Sequence, residues 1–308
     1  MKVIANTTDM SREEWLGLRR KGIGGSDASV ILGLSKYRTA FDLWADKRGL
    51  VKPDEAGEAA EWGNILERPI AEQFAKTTGL AVMAWPVMLQ HDERKWQLAN
   101  VDFFIVTGEQ PGAVHGEVVD VEDIDPRNIV AILEIKTTGI ASRGSAHLWA
   151  DEQVPEAYHW QGVHYASVTG IRTVVFAALV AGQGLTIRER IVSEADLDRL
   201  NYAEADFWEA VQSGEEPYLV GTKSEEDTLK ALYPVSFDKH IEANGFERDL
   251  VEEYTSLKAQ ADALNALLQS AKNQLINLAG DADTVTFNGE TLFTYKSTKN
   301  TEAAVSYT

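Results

Sequence analysis

The chain has no cysteine, so it can form neither a disulfide bond nor a thiolate metal site. This absence fits a reducing compartment. No apolar run approaches the roughly 20 residues that a membrane-spanning helix needs. Residues 1–10 also lack the apolar centre of a signal peptide. We therefore expect a cytoplasmic protein without a membrane partner.

Basic residues are scarce. The chain carries 29 Lys and Arg against 48 Asp and Glu, which gives a formal net charge of -19 at pH 7. Such an excess of negative charge argues against nucleic acid as a partner, because the phosphates repel it. Residues 1–50 are an exception, with nine basic and six acidic residues. A local basic patch can bind phosphate, while the acidic remainder repels DNA from other surfaces.

Several common catalytic signatures are missing as well. The sequence contains no P-loop, no dinucleotide-binding fingerprint and no Ser-His-Asp arrangement. His159 and His164 are not at the spacing of a metal-binding pair, and we interpret them as structural. The candidates for catalysis are therefore carboxylates.

The most informative stretch is 129–138, Ile-Val-Ala-Ile-Leu-Glu-Ile-Lys-Thr-Thr. Its β-branched apolar run predicts a buried strand. Side chains alternate along a strand, so Glu134 and Lys136 point to the same face. Buried charges are costly unless they are paired, bound to a metal or exposed at a cleft, which indicates a functional site. A structural ion pair at a strand end is the alternative, since Glu-x-Lys also occurs at Glu93–Lys95 in a polar turn.

Two further carboxylates interrupt apolar patterns. Asp102 falls within a strand predicted over 96–106, and Glu67 borders the apolar stripe of a helix predicted over 55–79. Clustered carboxylates suit Mg²⁺ or Mn²⁺, which polarises a phosphodiester and lowers the pKa of a bound water. A neighbouring lysine can orient that water and offset charge on the phosphate. The set predicts metal-dependent phosphodiester hydrolysis, although for Glu67 a solvated helix carboxylate is the alternative.

The glycine-rich loop over 20–27, Arg-Lys-Gly-Ile-Gly-Gly-Ser-Asp, is a candidate phosphate site. Ser26 is predicted to cap a helix that runs through Gly33. Backbone amides in such a loop can hold a phosphate, with Arg20 and Ser26 as side-chain donors. An ordinary loop followed by a helix cap is the alternative.

The overall pattern predicts an α/β fold in which a mixed sheet is flanked by helices. A capping box at Ser11 begins the first helix, and Pro69 is either a break or a new first turn in the helix over 55–79. Further helices and strands are predicted from their periodicity: helices over 39–49, 155–170 and 193–214, strands over 81–89 and 114–121, and a hairpin over 172–192. Five apolar residues of the helix over 55–79 are expected in the core: Trp62, Ile65, Leu66, Ile70 and Phe74.

The chain is predicted to have three parts: a catalytic domain over 1–212, a linker over 213–237 rich in Gly, Pro and acidic residues, and a tail over 238–308. In the tail, apolar residues from Leu250 to Leu278 alternate steps of four and three, which predicts a long helix with a narrow seam. That seam either pairs with another chain or lies against its own domain. Asn288-Gly289 predicts a two-residue hairpin turn.

Asp102 followed by Glu134-Ile135-Lys136 resembles the Asp…(Asp/Glu)-x-Lys signature of the restriction-endonuclease-like nucleases. Three other motifs occur in the same order: Arg-x-Gly-Ile-Gly-Gly-Ser-Asp near the N-terminus, Trp62-Gly-x-x-x-Glu67, and Tyr158-x-x-Gln161. Together they resemble the YqaJ-like viral recombinase family, relatives of the phage lambda exonuclease, over about residues 12–210. The helix and hairpin of the tail lie outside that nuclease core.

The resemblance implies a 5′-to-3′ exonuclease that acts on double-stranded DNA ends in phage recombination, in a bacterial host, together with a single-strand annealing protein. It implies Mg²⁺, with Mn²⁺ able to substitute, and ring-shaped trimers among the lambda relatives. By resemblance, Asp102, Glu134 and the carbonyl of Ile135 would bind the metal, and Lys136 would activate the water. Glu67 would assist at the metal site, and Gln161 would help to position it. Arg20 and Ser26 would bind the 5′-phosphate, with Arg19 as the alternative to Arg20.

Two rival functions remain open at the level of the sequence. One is an endonuclease or junction-cutting nuclease on the same fold, which would attack circles or branches. The other is a DNA-binding or assembly module that keeps the fold without catalysis and uses the tail to bind partners. The complete set of acidic residues and lysine favours an enzyme.

Overall fold

A computed structural model describes residues 1–52, 57–138, 147–149, 152–235, 238–298 and 301–307. The chain divides into two compact units, Met1–Val235 and Ser236–Thr308. None of the helices in these described ranges combines the length and the apolar character that crossing a bilayer requires.

The first unit is built on a six-stranded mixed sheet. The described strands of this unit, from both of its sheets, are β1 (Lys2–Asn6), β2 (Ala81–Ala84), β3 (Val87–Gln90), β4 (Leu98–Ala99), β5 (Phe103–Val106), β6 (Val118–Asp120), β7 (Ile129–Thr138), β8 (Thr173–Val180) and β9 (Gly184–Ile191). The main sheet has the order β6-β2-β5-β7-β8-β9, and β1, β3 and β4 form a small second sheet. β7 runs antiparallel to β5 and parallel to β8. The segment over 129–138 is therefore an interior strand, as predicted.

Helices cover both faces of the main sheet. They are α1 (Arg12–Arg19), α2 (Gly25–Ile31), α3 (Ala40–Lys47), α4 (Glu58–Thr78), α5 (Glu156–Thr169), α6 (Glu194–Ser213) and α7 (Lys223–Leu232). The predicted capping box at Ser11 is present at the start of α1. The mixed sheet flanked by helices confirms the predicted fold class.

Alternation along β7 separates two cores. Leu133 and Ile135 pack with Ile70 and Phe74 of α4 on one face. Ile132 packs with Val163 and other residues of α5 on the opposite face. Because side chains two residues apart share a face, Glu134 and Lys136 lie on the α5 side of the sheet. A third core, which includes Ile23, Phe41, Trp44 and Phe207, anchors the glycine-rich loop to α3 and α6.

α4 differs from its prediction in two respects. Pro69 neither breaks it nor begins a new helix, since α4 continues from Glu58 to Thr78. Trp62 and Ile65 are 54% and 53% exposed, so their placement in the core was wrong. The part of α4 that packs on the sheet runs from Leu66 to Ala75, and the turns before it remain in solvent. The predicted first residues of this helix, 55–56, lie outside the described residues.

The strand predicted over 96–106 is divided. Leu98–Ala99 pairs with β3 in the small sheet, whereas Phe103–Val106 pairs with β7 in the main sheet. Asp102 therefore lies immediately before β5 and not inside a strand. Ser26 is also not the helix cap, because Gly24 occupies that position and Ser26 is inside α2.

The segment predicted as a linker contains α7, and the first unit extends to Val235. Thr222 begins this helix with a capping box that was not predicted from the sequence. Thr228 donates a hydrogen bond of 2.7 Å to the buried carboxylate of Asp42, and Leu229 packs against the third core. These contacts explain why a segment of linker-like composition is ordered. Residues 236–237, at the end of the predicted linker, lie outside the described residues.

The second unit consists of α8 (Gly245–Ala279) and the strands β10 (Thr284–Phe287), β11 (Glu290–Thr298) and β12 (Thr301–Tyr307). The predicted hairpin is confirmed, with Asn288 at φ 51° and Gly289 at φ 86°, the positive values that its two-residue turn requires. β12 pairs with β11 and was not predicted.

Candidate active site

The pairing of β5 with β7 brings Asp102 to Glu134. Phe103 lies opposite Leu133 in this antiparallel pair, so the preceding residue, Asp102, lies beside Glu134. Its Oδ2 accepts a hydrogen bond of 2.9 Å from the backbone amide of Ile135. Two carboxylates that are 32 residues apart in the sequence therefore meet at the point where β5 begins.

Glu134 is the most buried carboxylate of the cluster, at 1% exposure. Its Oε1 accepts hydrogen bonds from Lys136 Nζ at 2.5 Å and from Gln161 Nε2 at 2.6 Å. Its Oε2 is buried and has no hydrogen-bond partner among the described residues. A buried carboxylate oxygen without a donor is costly, and an additional cation would satisfy it.

The carboxylates of the cluster hold their protons unusually tightly. Burial, reinforced by the charge of Asp102, raises the pKa of Glu134 to about 8. Burial and the charge of Asp102 also raise the pKa of the half-buried Glu67 to about 7. The pKa of Asp102 itself is raised by burial. Three carboxyl groups thus compete for the single ammonium of Lys136, and the cluster is short of positive charge.

Lys136 stays charged in this setting. Burial works against its charge, but the carboxylates of Glu134 and Asp102 outweigh that effect and raise its pKa. Its Nζ also lies 4.9 Å from the centre of the Tyr158 ring, and this cation–π contact restrains the ammonium. At neutral pH this lysine donates hydrogen bonds and does not act as a base.

The cluster fits a hard divalent cation. Its side-chain donors are the carboxylate oxygens of Asp102 and Glu134, the chemistry that Mg²⁺ and Mn²⁺ prefer, and Glu134 Oε2 has no hydrogen-bond partner among the described residues. Among the described residues no group of three or more His, Cys, Asp or Glu side chains could hold a metal by itself. A cation here would therefore depend on the two carboxylates of Asp102 and Glu134 and on water, which is usual for Mg²⁺.

α5 is held in place by a buried polar network beneath the cluster. Both ring nitrogens of His164 face acceptors, Glu204 Oε1 at 2.7 Å and the Leu98 carbonyl at 2.8 Å. Burial lowers the pKa of His164, but the neighbouring Glu204 carboxylate more than offsets this effect, and the pKa is raised. Gln97 donates to the second oxygen of Glu204 at 2.7 Å. This network joins α5, α6 and β4, which agrees with the structural interpretation of His164.

Tyr165 connects the carboxylate cluster to the glycine-rich loop. Its hydroxyl accepts a hydrogen bond of 3.0 Å from Gln161 Nε2, the same group that donates to Glu134. A Cβ built on Gly25 would lie 2.6 Å from Cε1 of the Tyr165 ring. Only glycine permits this approach of α2 to α5. Tyr158 was predicted only as part of a family motif and Tyr165 was not predicted as a site residue, because the lysine and the loop that they contact are distant in the chain.

Gly25→Ala should destabilise the protein and disturb the site together. The added methyl group must displace the Tyr165 ring, at a cost of about 1–3 kcal/mol, and with it Gln161. We expect a lower melting temperature and a lower turnover number. Gly17→Ala is the matched control, since a Cβ at Gly17 in α1 meets no atom within 4 Å and alanine is the better helix former. Equal effects of the two substitutions would contradict this role of Gly25.

Arg19, Arg20 and Ser26 line one small cavity of about 130 Å³. Arg19 Nη2 donates to Ser26 Oγ at 2.9 Å. Arg20 instead donates to Asp46 Oδ1 at 3.2 Å and to the carbonyl of Val51 at 3.1 Å. Of the two arginines, the structure thus brings Arg19 into contact with Ser26 and engages Arg20 with Asp46.

Four charged residues of this cavity were not predicted as site residues: Asp27, Arg38, Asp46 and Lys47. Lys47 Nζ lies 2.7 Å from Asp27 Oδ2, and both side chains are almost fully buried. Although burial opposes its charge, Lys47 and Arg19 hold the pKa of Asp27 far below its usual value. This ion pair joins the first turn of α2, which carries Ser26, to the end of α3. The cavity has a surplus of positive charge, because it is lined by four basic side chains and only two carboxylates. The basic residues are Arg19, Arg20, Arg38 and Lys47, and the acidic ones are Asp27 and Asp46.

The arrangement of the sheet defines the structural class. A crystal structure of an alkaline exonuclease (LHK-Exo) from Laribacter hongkongensis superposes with a TM-score of 0.50 at 14% sequence identity, covering 72% of this chain and all of that one. The same exonuclease in complex with dAMP superposes equally well, at 13% identity. The chain therefore has the fold of this alkaline exonuclease.

The family follows from sequence comparison. The model of the YqaJ-like viral recombinase domain matches residues 14–172. The uncharacterized protein YqaJ of Bacillus subtilis (strain 168) is 37% identical over 287 residues, which cover 92% of this chain and 82% of that protein. The chain belongs to the YqaJ-like viral recombinase family, and the resemblance inferred from its motifs is confirmed.

Proposed function

We propose that this protein is a metal-dependent deoxyribonuclease that digests double-stranded DNA from its ends in the 5′-to-3′ direction, as part of a phage-type recombination system. The observation that carries the proposal is the cluster of Asp102, Glu134 and Lys136 at the start of β5, with one buried carboxylate oxygen unpartnered. Family membership and the exonuclease fold support the broader class of nuclease.

Asp102, Glu134 and the carbonyl of Ile135 are the proposed ligands of Mg²⁺, with Mn²⁺ able to substitute. When bound, such a cation polarises the scissile phosphodiester and lowers the pKa of a bound water. Lys136, held by Glu134 and Tyr158, remains an ammonium that orients the attacking water and offsets charge on the phosphate. Gln161 holds Glu134 in position, and the near-neutral pKa of Glu67 suits a group that exchanges a proton during turnover.

The cavity beside Ser26 is the proposed site for the terminal 5′-phosphate. Its surplus of positive charge suits a phosphate, and Arg19 already directs Nη2 at the Ser26 hydroxyl. Tyr165 contacts both Gly25, which precedes Ser26, and Gln161, which donates to Glu134, and this connection between the two groups of residues supports the assignment. The complex of LHK-Exo with dAMP supports a nucleotide ligand for the fold. An enzyme that holds a terminal phosphate beside the reacting bond would remove nucleotides from an end.

Digestion of linear and covalently closed circular duplexes with Mg²⁺ tests the exonuclease. Linear DNA should be degraded and circles left intact. Equal attack on both would favour the endonuclease or junction-cutting alternative. Absence of metal-dependent cleavage on either substrate would favour a non-catalytic DNA-binding module.

Arg19→Ala should abolish the preference for 5′-phosphorylated over 5′-hydroxyl ends. A charge-assisted contact to phosphate contributes about 1.5–3 kcal/mol, so the preference should fall roughly tenfold or more. Arg20→Ala should retain part of the preference but lower the melting temperature, because Arg20 also bonds Asp46 and Val51. The measurement is the initial digestion rate on the two kinds of end.

Lys21→Ala is the control for that experiment, since it removes an exposed positive charge from the same loop outside the cavity. A loss of phosphate preference in Lys21→Ala equal to that in Arg19→Ala would indicate general electrostatic attraction in place of a defined pocket. A single-strand annealing protein is the proposed partner, because the product of such digestion is a single-stranded 3′ tail.

A further inference from the structure

The hydroxyl of Tyr165 is a buried polar group without a role in the proposed mechanism. Tyr165 lies on α5, one helical turn after Gln161, and is almost fully buried. Its hydroxyl accepts a hydrogen bond of 3.0 Å from Gln161 Nε2, and the same Nε2 donates to Glu134 Oε1 at 2.6 Å. A carboxamide nitrogen carries two hydrogens, so both are engaged here. The amide of Gln161 is therefore fixed between two acceptors.

Tyr165 does not exchange a proton at neutral pH. Burial, followed by the negative charges of Glu134 and Asp102, raises the pKa of its hydroxyl well above the ordinary value of 10.0. The hydroxyl therefore stays neutral and remains available to accept the hydrogen bond from Gln161. Because a general acid or base needs a pKa near the working pH, the contribution of Tyr165 is to hold other groups in position.

The ring of Tyr165 packs on the first turn of α2. A Cβ at Gly25 would lie 2.6 Å from Cε1 of this ring and 3.1 Å from Cγ of Gln161, so the backbone of Gly25 touches both side chains. The next residue, Ser26, accepts a hydrogen bond from Arg19 in the proposed phosphate cavity. Packed interiors transmit small displacements because they leave little free space. The first turn of α2 and the side chain of Gln161 therefore restrain each other.

We propose that Tyr165 is a positioning residue through which a bound terminal 5′-phosphate promotes the cleavage step itself. This inference rests on the proposed function, because it takes Ser26 as a phosphate ligand and Glu134 as a metal ligand. A phosphate bound between Arg19 and Ser26 holds the first turn of α2 against the ring of Tyr165. The hydroxyl of Tyr165 in turn holds Gln161 on Glu134. Binding energy that orients catalytic groups in this way raises turnover and not only affinity.

Single-turnover cleavage of linear duplexes with Mg²⁺, at enzyme concentrations that saturate the DNA, measures the cleavage step apart from binding. Wild type should cleave 5′-phosphorylated ends faster than 5′-hydroxyl ends under these conditions. Tyr165→Phe keeps the ring on Gly25 and removes only the hydroxyl. The ratio of the two rates should then fall about fivefold, which is within the range that one hydrogen bond contributes. The DNA concentration at half-saturation should change less than the rate.

Three matched measurements separate this role from general stability. Tyr202→Phe removes the hydroxyl of an exposed tyrosine on α6 and should leave the ratio unchanged. Gly25→Ala displaces the ring of Tyr165 from the side of the loop and should lower the ratio as Tyr165→Phe does. In an Arg19→Ala background, where the phosphate is no longer held, adding Tyr165→Phe should not change the ratio further. Melting curves establish that each variant is folded, and Gly25→Ala and the wild-type comparison decide the question if Tyr165→Phe is not.

A purely structural role of Tyr165 would lower the rates on both kinds of end equally and leave their ratio unchanged. That result would overturn the proposal, and so would equal saturated rates of wild type on the two kinds of end. The proposed nuclease survives either result, since it requires only metal-dependent digestion from DNA ends. Absence of such digestion would instead defeat the proposed function.

Discussion

Lys136→Ala should reduce metal-dependent cleavage of linear duplex DNA by at least about 100-fold. Among the described residues, Lys136 is the only cation that forms an ion pair with Glu134, and a preorganised donor of this kind is worth about 10²–10³ in turnover. Its loss also leaves the Glu134 carboxylate without its ammonium partner, which shifts that group further toward its protonated form. Turnover should fall more than apparent DNA affinity, and initial rates across a range of DNA concentrations separate the two.

Lys95→Ala is the matched control for that substitution. Lys95 belongs to the second Glu-x-Lys pattern of the chain, Glu93–Lys95, and is exposed in a turn. Its removal should leave the cleavage rate within about twofold of wild type. If Lys136→Ala retained the wild-type rate, the cluster would have no catalytic role and cleavage would have to take place at another site of the protein.

Mg²⁺ should stabilise the protein against heat far more at pH 8.5 than at pH 6. Glu134 has a pKa of about 8 in the folded protein, raised by burial and by Asp102 from an ordinary 4.5, and Glu67 has a pKa of about 7. Between the ordinary pKa of 4.5 and the raised pKa of about 8, the folded chain binds more protons than the unfolded chain. The free energy of unfolding of the metal-free protein therefore falls as pH rises through this window, on the order of a few kcal/mol.

A bound cation reverses this loss of stability at high pH because its positive charge replaces the protons of the carboxyl groups. Metal affinity then rises with pH as the carboxyls deprotonate, and so should cleavage between pH 6 and 8.5. The raised pKa of Lys136 does not offset the trend, since it releases its proton only above its ordinary value of 10.5. Melting temperatures measured with Mg²⁺ and with EDTA at several pH values give the result directly.

Glu134→Gln provides a control that separates stability from activity. The neutral side chain keeps the shape but has nothing to titrate, so the metal-free variant should be more stable than metal-free wild type at pH 8.5 while its cleavage is abolished. If the difference between the wild-type melting temperatures with Mg²⁺ and with EDTA were the same at every pH from 6 to 8.5, the carboxylates would not be the metal site.

Local patterns in the sequence were enough for most elements of the fold. The apolar run over 129–138, the capping box at Ser11 and the Asn288-Gly289 turn each depend on neighbouring residues, and all three have the predicted structure. The choice of Glu134 and Lys136 as a pair also needed only the alternation of a strand. Family motifs then connected Asp102 to them across 32 residues.

Other features depended on which surfaces meet. Periodicity put Trp62 in the core, but it cannot show that α4 packs on the sheet only from Leu66 onward. Composition predicted a linker where α7 is ordered, because the acceptor of its Thr228 hydroxyl, Asp42, lies 186 residues away in the chain.

The sequence by itself determined the strand that carries Glu134 and Lys136, the family of the chain and the heptad seam of α8. Each of these depends on residues a few positions apart or on motifs that follow one another in a fixed order. Only the tertiary structure decided that Arg19 rather than Arg20 contacts Ser26, that Lys47 pairs with Asp27, and that Tyr165 joins Gln161 to Gly25. The physical reason is that a side chain's partner is set by packing between distant segments, and neighbouring residues such as Arg19 and Arg20 point in different directions once their helix is packed.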